Sequence, residues 1–319
     1  MHYDVFNGDA DGIIALLQLR LAEPKVSTLV TGVKRDIHLL DRLAVEPGDS
    51  VVVLDISMHK NKAALEKILA VGAQVFYADH HQSGDIPQHS HLQAHIDLDA
   101  NTCTALIIDK LLNGRYRLWA ITAAYGDNLI DTADQLADEA GLSAEQKAQL
   151  KELGTLINYN GYGAKLADLH FDPANLFSQL LAYDDPFAVI ADPNSPFQAL
   201  SAAFKTDMGQ AMAIAPHYQS ERLTVFELPN QAFSRRVSGV YGNALANRSP
   251  HSAHAVLTEN SDGTYTVSLR APLQNKQGAG DICAQFPSGG GRAAAAGVNA
   301  LPKQQLSAFI EEVEQYYRD

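Results

Sequence analysis

The chain has 319 residues, 46% of them hydrophobic, which gives room for two domains with separate cores and excludes a disordered protein. Its formal net charge of −13 argues against a protein that wraps long duplex nucleic acid, because such binding rests on neutralising phosphates with lysine and arginine. A small anionic substrate stays compatible with that charge where a metal or a local basic patch offsets the field.

Residues 3–6 are short, apolar and strand-like, and residues 12–20 follow as a helix that Asp11 opens. Residues 27–32 suggest a second strand, and the Val-Val-Val-Leu run at 51–54 a third. Residues 60–71 carry Leu65, Ile68 and Leu69 on one helical face, and residues 74–78 return to strand. Residues 102–112 and 119–125, rich in alanine, leucine and isoleucine, predict helices. Strands alternating with helices at this spacing imply βαβ units and a parallel sheet.

Beyond Asp127 the texture changes. Residues 132–154 and 173–183 predict helices, 192–196 a turn, and 197–221 a long connecting helix interrupted by Pro216. A second unit then begins with a strand at 224–228, a helix at 236–246, and strands at 253–259 and 264–270 joined by the turn Asn260-Ser261-Asp262-Gly263. It closes with a glycine triplet, a helix opened by residues 293–296, and a final helix at 303–317. The expected fold class is α/β: a parallel-sheet domain with flanking helices over 1–190, a helical linker over 191–222 and a smaller α/β domain over 223–319. Cys103 and Cys283 stand far apart, in no metal-binding spacing, which points to a reduced, cytoplasmic compartment. Residues 1–5 lack the basic start of a signal peptide, and no run approaches the ~18 apolar residues of a membrane helix. No membrane partner is expected.

Acidic and histidine residues gather at the ends of the apolar runs: Asp9 and Asp11 after residues 3–6, Asp55 after 51–54, Asp79-His80-His81 after 74–78, and Asp127 after 119–125. Taken singly these have ordinary explanations. Asp-x-Asp-Gly is a common turn, an aspartate after a strand is a plausible helix N-cap, and a His-His pair is often a surface accident. Together they fall at the strand ends of one sheet, the edge where open parallel sheets bind ligands. Carboxylates and imidazoles crowded there repel one another and resist desolvation unless divalent ions neutralise them. Oxygen-rich sites with one or two imidazoles suit Mn²⁺ or Mg²⁺, and a bridging aspartate would hold two ions ~3.5–4 Å apart for in-line attack of water on phosphorus.

Asp9-Ala10-Asp11-Gly12, Asp55, Asp79-His80-His81 and Gly126-Asp127 resemble the four motifs of the DHH phosphoesterase superfamily, which includes RecJ exonucleases, nanoRNases, pAp phosphatases, cyclic-dinucleotide phosphodiesterases and family II pyrophosphatases. Val267-Ser268-Leu269-Arg270, Gly289-Gly290-Gly291-Arg292 and Ala295-Ala296-Gly297 resemble the substrate-binding DHHA1 domain. The resemblance implies two Mn²⁺ or Mg²⁺ ions, with Asp9 on the first, Asp11 on the second, Asp55 bridging, and His80 and Asp127 completing the second site. It also implies that Asp79 orients a ligand and that His81 contacts phosphate or protonates the leaving oxygen. Asn7 stands where RecJ-like members carry an additional aspartate, and Arg292 where the family usually has histidine.

In the second domain, Gly289, Gly290 and Gly291 let backbone N–H groups approach an anion, and Arg270 and Arg292 are candidates to grip its phosphate. Lys34-Arg35 and Arg235-Arg236 are further basic pairs that read at least as well as solvated surface charges. The leading expectation is a phosphodiesterase that hydrolyses short oligonucleotides or dinucleotides to 5′-mononucleotides. A phosphomonoesterase on pAp-like nucleotides and a nucleotide-binding sensor with weak catalysis are the alternatives. The sequence leaves a homodimer open.

Overall fold

In the computed structural model, which describes residues 1–318, the chain begins with β1 (His2–Phe6), α1 (Ala10–Ala22), β2 (Thr28–Val30), β3 (Ser50–Leu54), α2 (Met58–Val71), β4 (Gln74–Asp79) and β5 (Leu92–Ile96). All five strands are parallel, in the order β2-β1-β3-β4-β5, with Val5 beside Val53 and Val53 beside Tyr77. Parallel sheets need both faces covered, which is why the valine run of β3 shows no polar alternation. One face meets α2: Val51 and Val53 share a buried cluster with Leu65, Ile68 and Leu69. Helix α1 is buried nearly all round, and its buried side-chain donors find partners. Gln18 donates to the Ala105 carbonyl at 3.0 Å, and Arg20 Nε lies 2.8 Å from Asp4 Oδ2.

A helical stretch follows, with α3 (Thr104–Leu111), α4 (Arg117–Gly126), α5 (Ile130–Glu139), α6 (Ala144–Gly161), α7 (Pro173–Leu180), α8 (Pro186–Ala191) and α9 (Pro196–Met212). The chain divides into two compact units, Met1–Ala203 and Phe204–Asp319, so α9 runs across the division. The single helix expected over 132–154 is two, because residues 140–143 turn and Ser143 caps α6 with a reciprocal Ser143–Gln146 capping box. The connecting helix expected to reach 221 stops at Met212, before Pro216, and a short strand follows.

The second unit holds β6 (Tyr218–Gln219), β7 (Leu223–Leu228), α10 (Ala232–Arg248), β8 (Ala253–Glu259), β9 (Thr264–Arg270), α11 (Ala279–Ala284), β10 (Gly289–Gly291), β11 (Ala295–Pro302) and α12 (Leu306–Tyr316). Its sheet has the order β10-β11-β9-β8-β7-β6, with only β7 and β8 parallel. One face of the sheet packs through Val225, Ala255, Val267 and Leu269 on Ile282, Phe309 and Val313. Residues 293–296 do not open a helix: Ala295 starts β11, paired with both β9 and β10. The alanine-rich segment pairs closely with β9, where a Cβ on Gly297 would stand 2.5 Å from the Val267 carbonyl oxygen. Cys103 and Cys283 are buried and unpaired. Among the described residues no helix is long and apolar enough to cross a membrane.

Candidate metal centre

The strand order places β1 and β3 side by side with their following helices on opposite faces, so the chain leaves a crevice at their carboxyl ends. The acidic motifs line it. After β1 the chain turns tightly into α1, and Gly12 is required there, since a Cβ would meet the Asn7 carbonyl oxygen at 2.3 Å. Asp9 is the N-cap of α1, its Oδ1 accepting the Gly12 N–H at 3.1 Å, so Asp11 sits inside the first turn rather than opening the helix. Asp11 accepts the backbone N–H groups of Thr104 and Ala105 at 2.8 and 2.7 Å, the first residues of α3. Asp55, directly after β3, holds a left-handed backbone at φ 59°, a conformation tolerated mainly at functional or turn positions. Asp79 ends β4, and Asp127 caps the end of α4.

These residues converge. His80 Nε2 lies 3.5 Å from Asp55 Oδ1, 3.7 Å from Asp11 Oδ2 and 4.0 Å from Asp127 Oδ2. His80 Nδ1 stands 3.0 Å from the Thr102 carbonyl, to which only an N–H can donate, so Nε2 carries the free lone pair in the neutral ring. In that neutral state the lone pair and three carboxylates form a donor set that a cation could fill. Separations of 3.5–4.0 Å are beyond good hydrogen-bond range, yet short enough for these atoms to close on a common ion by small side-chain movements. Asp55, His80 and His81 also each bring a ligand atom within 4.8 Å of one another. The donor set of carboxylates and imidazole, with no thiolate, fits Mn²⁺ or Mg²⁺.

The electrostatics bear the same mark. Burial, with the charges of Asp9, Asp11, Asp79 and Asp127, holds the Asp55 carboxyl well above the ordinary carboxylate range. Burial likewise pushes Asp127 up to about 6, with Asp11 and Asp9 adding to it and Lys34 opposing. Asp9 goes the other way: burial would raise it, but the charge and hydrogen bond of Lys34 hold it at about 2. Lys34 Nζ sits 2.6 Å from Asp9 Oδ2 and 3.9 Å from Asp127 Oδ1. Sequence reasoning left this lysine open between a basic contact and a solvated surface charge. His81 Nδ1 bonds Asp79 Oδ1 at 2.7 Å, and that contact raises the imidazole above its ordinary value although burial alone would lower it. Asp79 is wholly buried, and its Oδ2 has no hydrogen-bond partner among the described residues.

The full chain superposes on the pGpG-specific phosphodiesterase PggH of Vibrio cholerae with a TM-score of 0.55 at 12% identity, covering 100% of this chain and 99% of that one. It superposes on RecJ of Thermus thermophilus in complex with Mn²⁺ at 0.57 and 16% identity, covering 99% of this chain and 52% of RecJ, and so spans about half of that protein. A manganese-bound exonuclease RecJ gives 0.50 at 18% identity, with 99% and 90% covered. At these identities the superpositions show a common fold and no more. No curated protein sequence matches the chain. The family model for the DHHA1 domain matches residues 221–319. Residues 221–319 are thus a DHHA1 domain, and the chain as a whole shares its fold with PggH and RecJ.

In the DHHA1 domain the expected substrate residues gather at one end of the sheet. Arg270 ends β9 and pairs with Ala295, while Gly291 pairs with Ala296 and Arg292 lies in the turn between β10 and β11. The glycines form a strand rather than a loop. Gly289 lies so close to α11 that a Cβ would meet the Cys283 carbonyl oxygen at 1.8 Å, while Gly290 and Gly291 are exposed. Arg292 is exposed. Arg270 is held within its own domain, donating to Asn243 Oδ1 at 2.6 Å, Ser268 Oγ at 3.0 Å and the Gly239 carbonyl at 3.2 Å. That bracing fixes the guanidinium, so any phosphate it meets is met by a positioned group.

Proposed function

We propose that the protein is a divalent-metal-dependent phosphodiesterase that hydrolyses dinucleotides or very short oligonucleotides to 5′-mononucleotides. The observation that carries the reading is the convergence of Asp11, Asp55 and Asp127 on the free nitrogen of His80 at the switch point of the sheet. Asp11, Asp55, His80 and Asp127 would hold Mn²⁺ or Mg²⁺. An ion there supplies Lewis acidity, polarising a phosphoryl oxygen and making water nucleophilic near neutral pH. His81, turned by its bond to Asp79 and kept more basic than an ordinary imidazole, holds a proton that it can deliver to the departing oxygen. Asp79 acts through His81 as a positioning residue. In the DHHA1 domain, Arg270, the glycine strand and Arg292 would bind a second phosphate or a base.

Support for a short substrate comes from two sides. One structural match that covers both chains end to end is to a phosphodiesterase described as pGpG-specific. A net charge of −13 also disfavours a long polyanion.

The test is product analysis with Mn²⁺ on a 5′-phosphorylated dinucleotide, pAp and a long single strand, with Asp55→Asn alongside. Asparagine tolerates a left-handed backbone, so this variant keeps the fold while losing a charge. The expected result is mononucleotides from the dinucleotide, absent in the variant. Orthophosphate from pAp alone would replace the reading with a phosphomonoesterase, and no turnover of any substrate would leave a binding protein.

A further inference from the structure

Lys34 is built into the acidic cluster at both ends of its residue. Its backbone N–H donates to the Gly161 carbonyl at the end of α6 at 2.9 Å, and its carbonyl accepts Asn7 Nδ2 at 3.3 Å. Its ammonium lies 2.6 Å from Asp9 Oδ2, 3.1 Å from Asn158 Oδ1 and 5.4 Å from the centroid of the Tyr162 ring. Groups from the N-cap of α1 and from the end of α6 therefore fix one cation from two sides. Only 25% of the side chain is exposed. A surface lysine that strays into a carboxylate cluster has none of this bracing.

The cluster consequently has two unlike halves. Around His80, three carboxylates face a ring nitrogen at 3.5–4.0 Å, and the lysine reaches only the rim of that group, 3.9 Å from Asp127 Oδ1. Around Asp9, the carboxylate already has an ammonium, the Gly12 N–H and the N-terminal end of a helix. A metal ion at Asp9 would have to expel the ammonium from both Asp9 and Asn158 and would leave a part-buried charge without its partner, which is costly.

In place of the pair of ions that the motifs lead one to expect, we propose that the centre takes one divalent ion, on Asp11, Asp55, His80 and Asp127, and that the Lys34 ammonium permanently occupies the neighbouring cation position at Asp9. The inference rests on the metal-dependent reading above and deepens it. Charge that a second ion would bring beside a phosphoryl oxygen then comes from a compact ammonium, indifferent to metal concentration. Asp9 becomes a holder of Lys34 rather than a metal ligand.

Calorimetric titration of EDTA-stripped full-length protein with MnCl₂ tests this without any turnover. The expected result is one Mn²⁺ per chain in the wild type. Asp9→Asn, which keeps a capping side chain, should still bind one ion with affinity changed less than about threefold. Asp127→Asn should lose tight binding, and Lys34→Ala, which vacates the position, should take two ions. Two ions in the wild type would overturn the inference while leaving the phosphodiesterase reading intact. So would loss of the single ion in Asp9→Asn, or a stoichiometry of one in Lys34→Ala. No ion at all in the wild type would remove both readings.

Discussion

Asp127→Asn should make the metal-free protein more stable while weakening its metal binding. Asp127 is four-fifths buried beside Asp9 and Asp11, and its pKa rises from 3.8 to about 6. Folding therefore favours the protonated form, and ionising Asp127 at about pH 7.5 costs the folded state about 3 kcal/mol, at about 1.36 kcal/mol per pKa unit. Asparagine avoids that cost but gives up the attraction of Lys34 at 3.9 Å and must desolvate an amide, so the net gain is about 1–2 kcal/mol. In melting temperature this is about 2–8 °C. Because the folded-state pKa is raised, the wild type holds its full relative stability below about pH 4 and loses it as pH climbs through about 6. The gap between variant and wild type should thus be near zero at about pH 4, open between about pH 4 and 6.5, and stay level above. Thermal melts in EDTA across that range measure it. Saturating Mn²⁺ should reverse the order, since an ion at about a hundred times its Kd stabilises the wild type by about 2.7 kcal/mol. A variant less stable than wild type at neutral pH in EDTA, or a gap that ignores pH, would refute the reasoning.

The same raised carboxyls, Asp55 and Asp127, should release protons when Mn²⁺ displaces them, so the binding enthalpy at about pH 6 should differ between PIPES and ACES in proportion to their ionisation enthalpies. A buffer-independent enthalpy would contradict this. His81→Ala should lower kcat by about 10²–10⁴ with Mn²⁺ stoichiometry unchanged; lost metal binding would instead make His81 a ligand, which its place near Asp55 and His80 permits. Arg292→Ala should raise KM for the dinucleotide about tenfold with kcat held, as expected for an exposed group that meets a charged substrate, and an unchanged KM would take Arg292 out of the substrate site. Gly12→Ala should destabilise the first unit by about 1–3 kcal/mol, because the new Cβ meets backbone oxygen at 2.3 Å; a melting temperature equal to wild type would show that the turn can yield.

Most of the first sheet was legible because its strands are buried on both faces and announce themselves as apolar runs ending in carboxylates. β5 was not, since Leu-Gln-Ala-His-Ile is a partly exposed edge strand with neither a continuous run nor a clean alternation. The segment at 293–296 misled because alanine favours helices in isolation, whereas its conformation is decided by pairing with Arg270 and Leu269 of β9. The gathering of the carboxylates was legible for a reason independent of fold: they sit where apolar runs stop. Lys34 was not, because its role depends on a tertiary approach between the loop after β2 and the end of α6, and a Lys-Arg pair in a loop carries no periodic signal for that.

Asp55 shows why the site and the fold cannot be separated. It follows β3, the central strand, flanked by β1 and β4, so its carboxylate projects where the ends of three strands meet. To do so it accepts a left-handed backbone, a desolvated side chain and the like charges of Asp9, Asp11, Asp79 and Asp127. The backbone strain alone costs of order 1 kcal/mol. The surroundings overdetermine it: its N–H is fixed on the Ala78 carbonyl at 3.1 Å, Leu54 before it pairs with both Phe6 and Ala78, and Thr104 Oγ1 lies 3.4 Å from its carboxylate. A residue held so firmly in an unfavourable state would gain stability from a divalent cation, and under the proposed function that differential would drive metal capture.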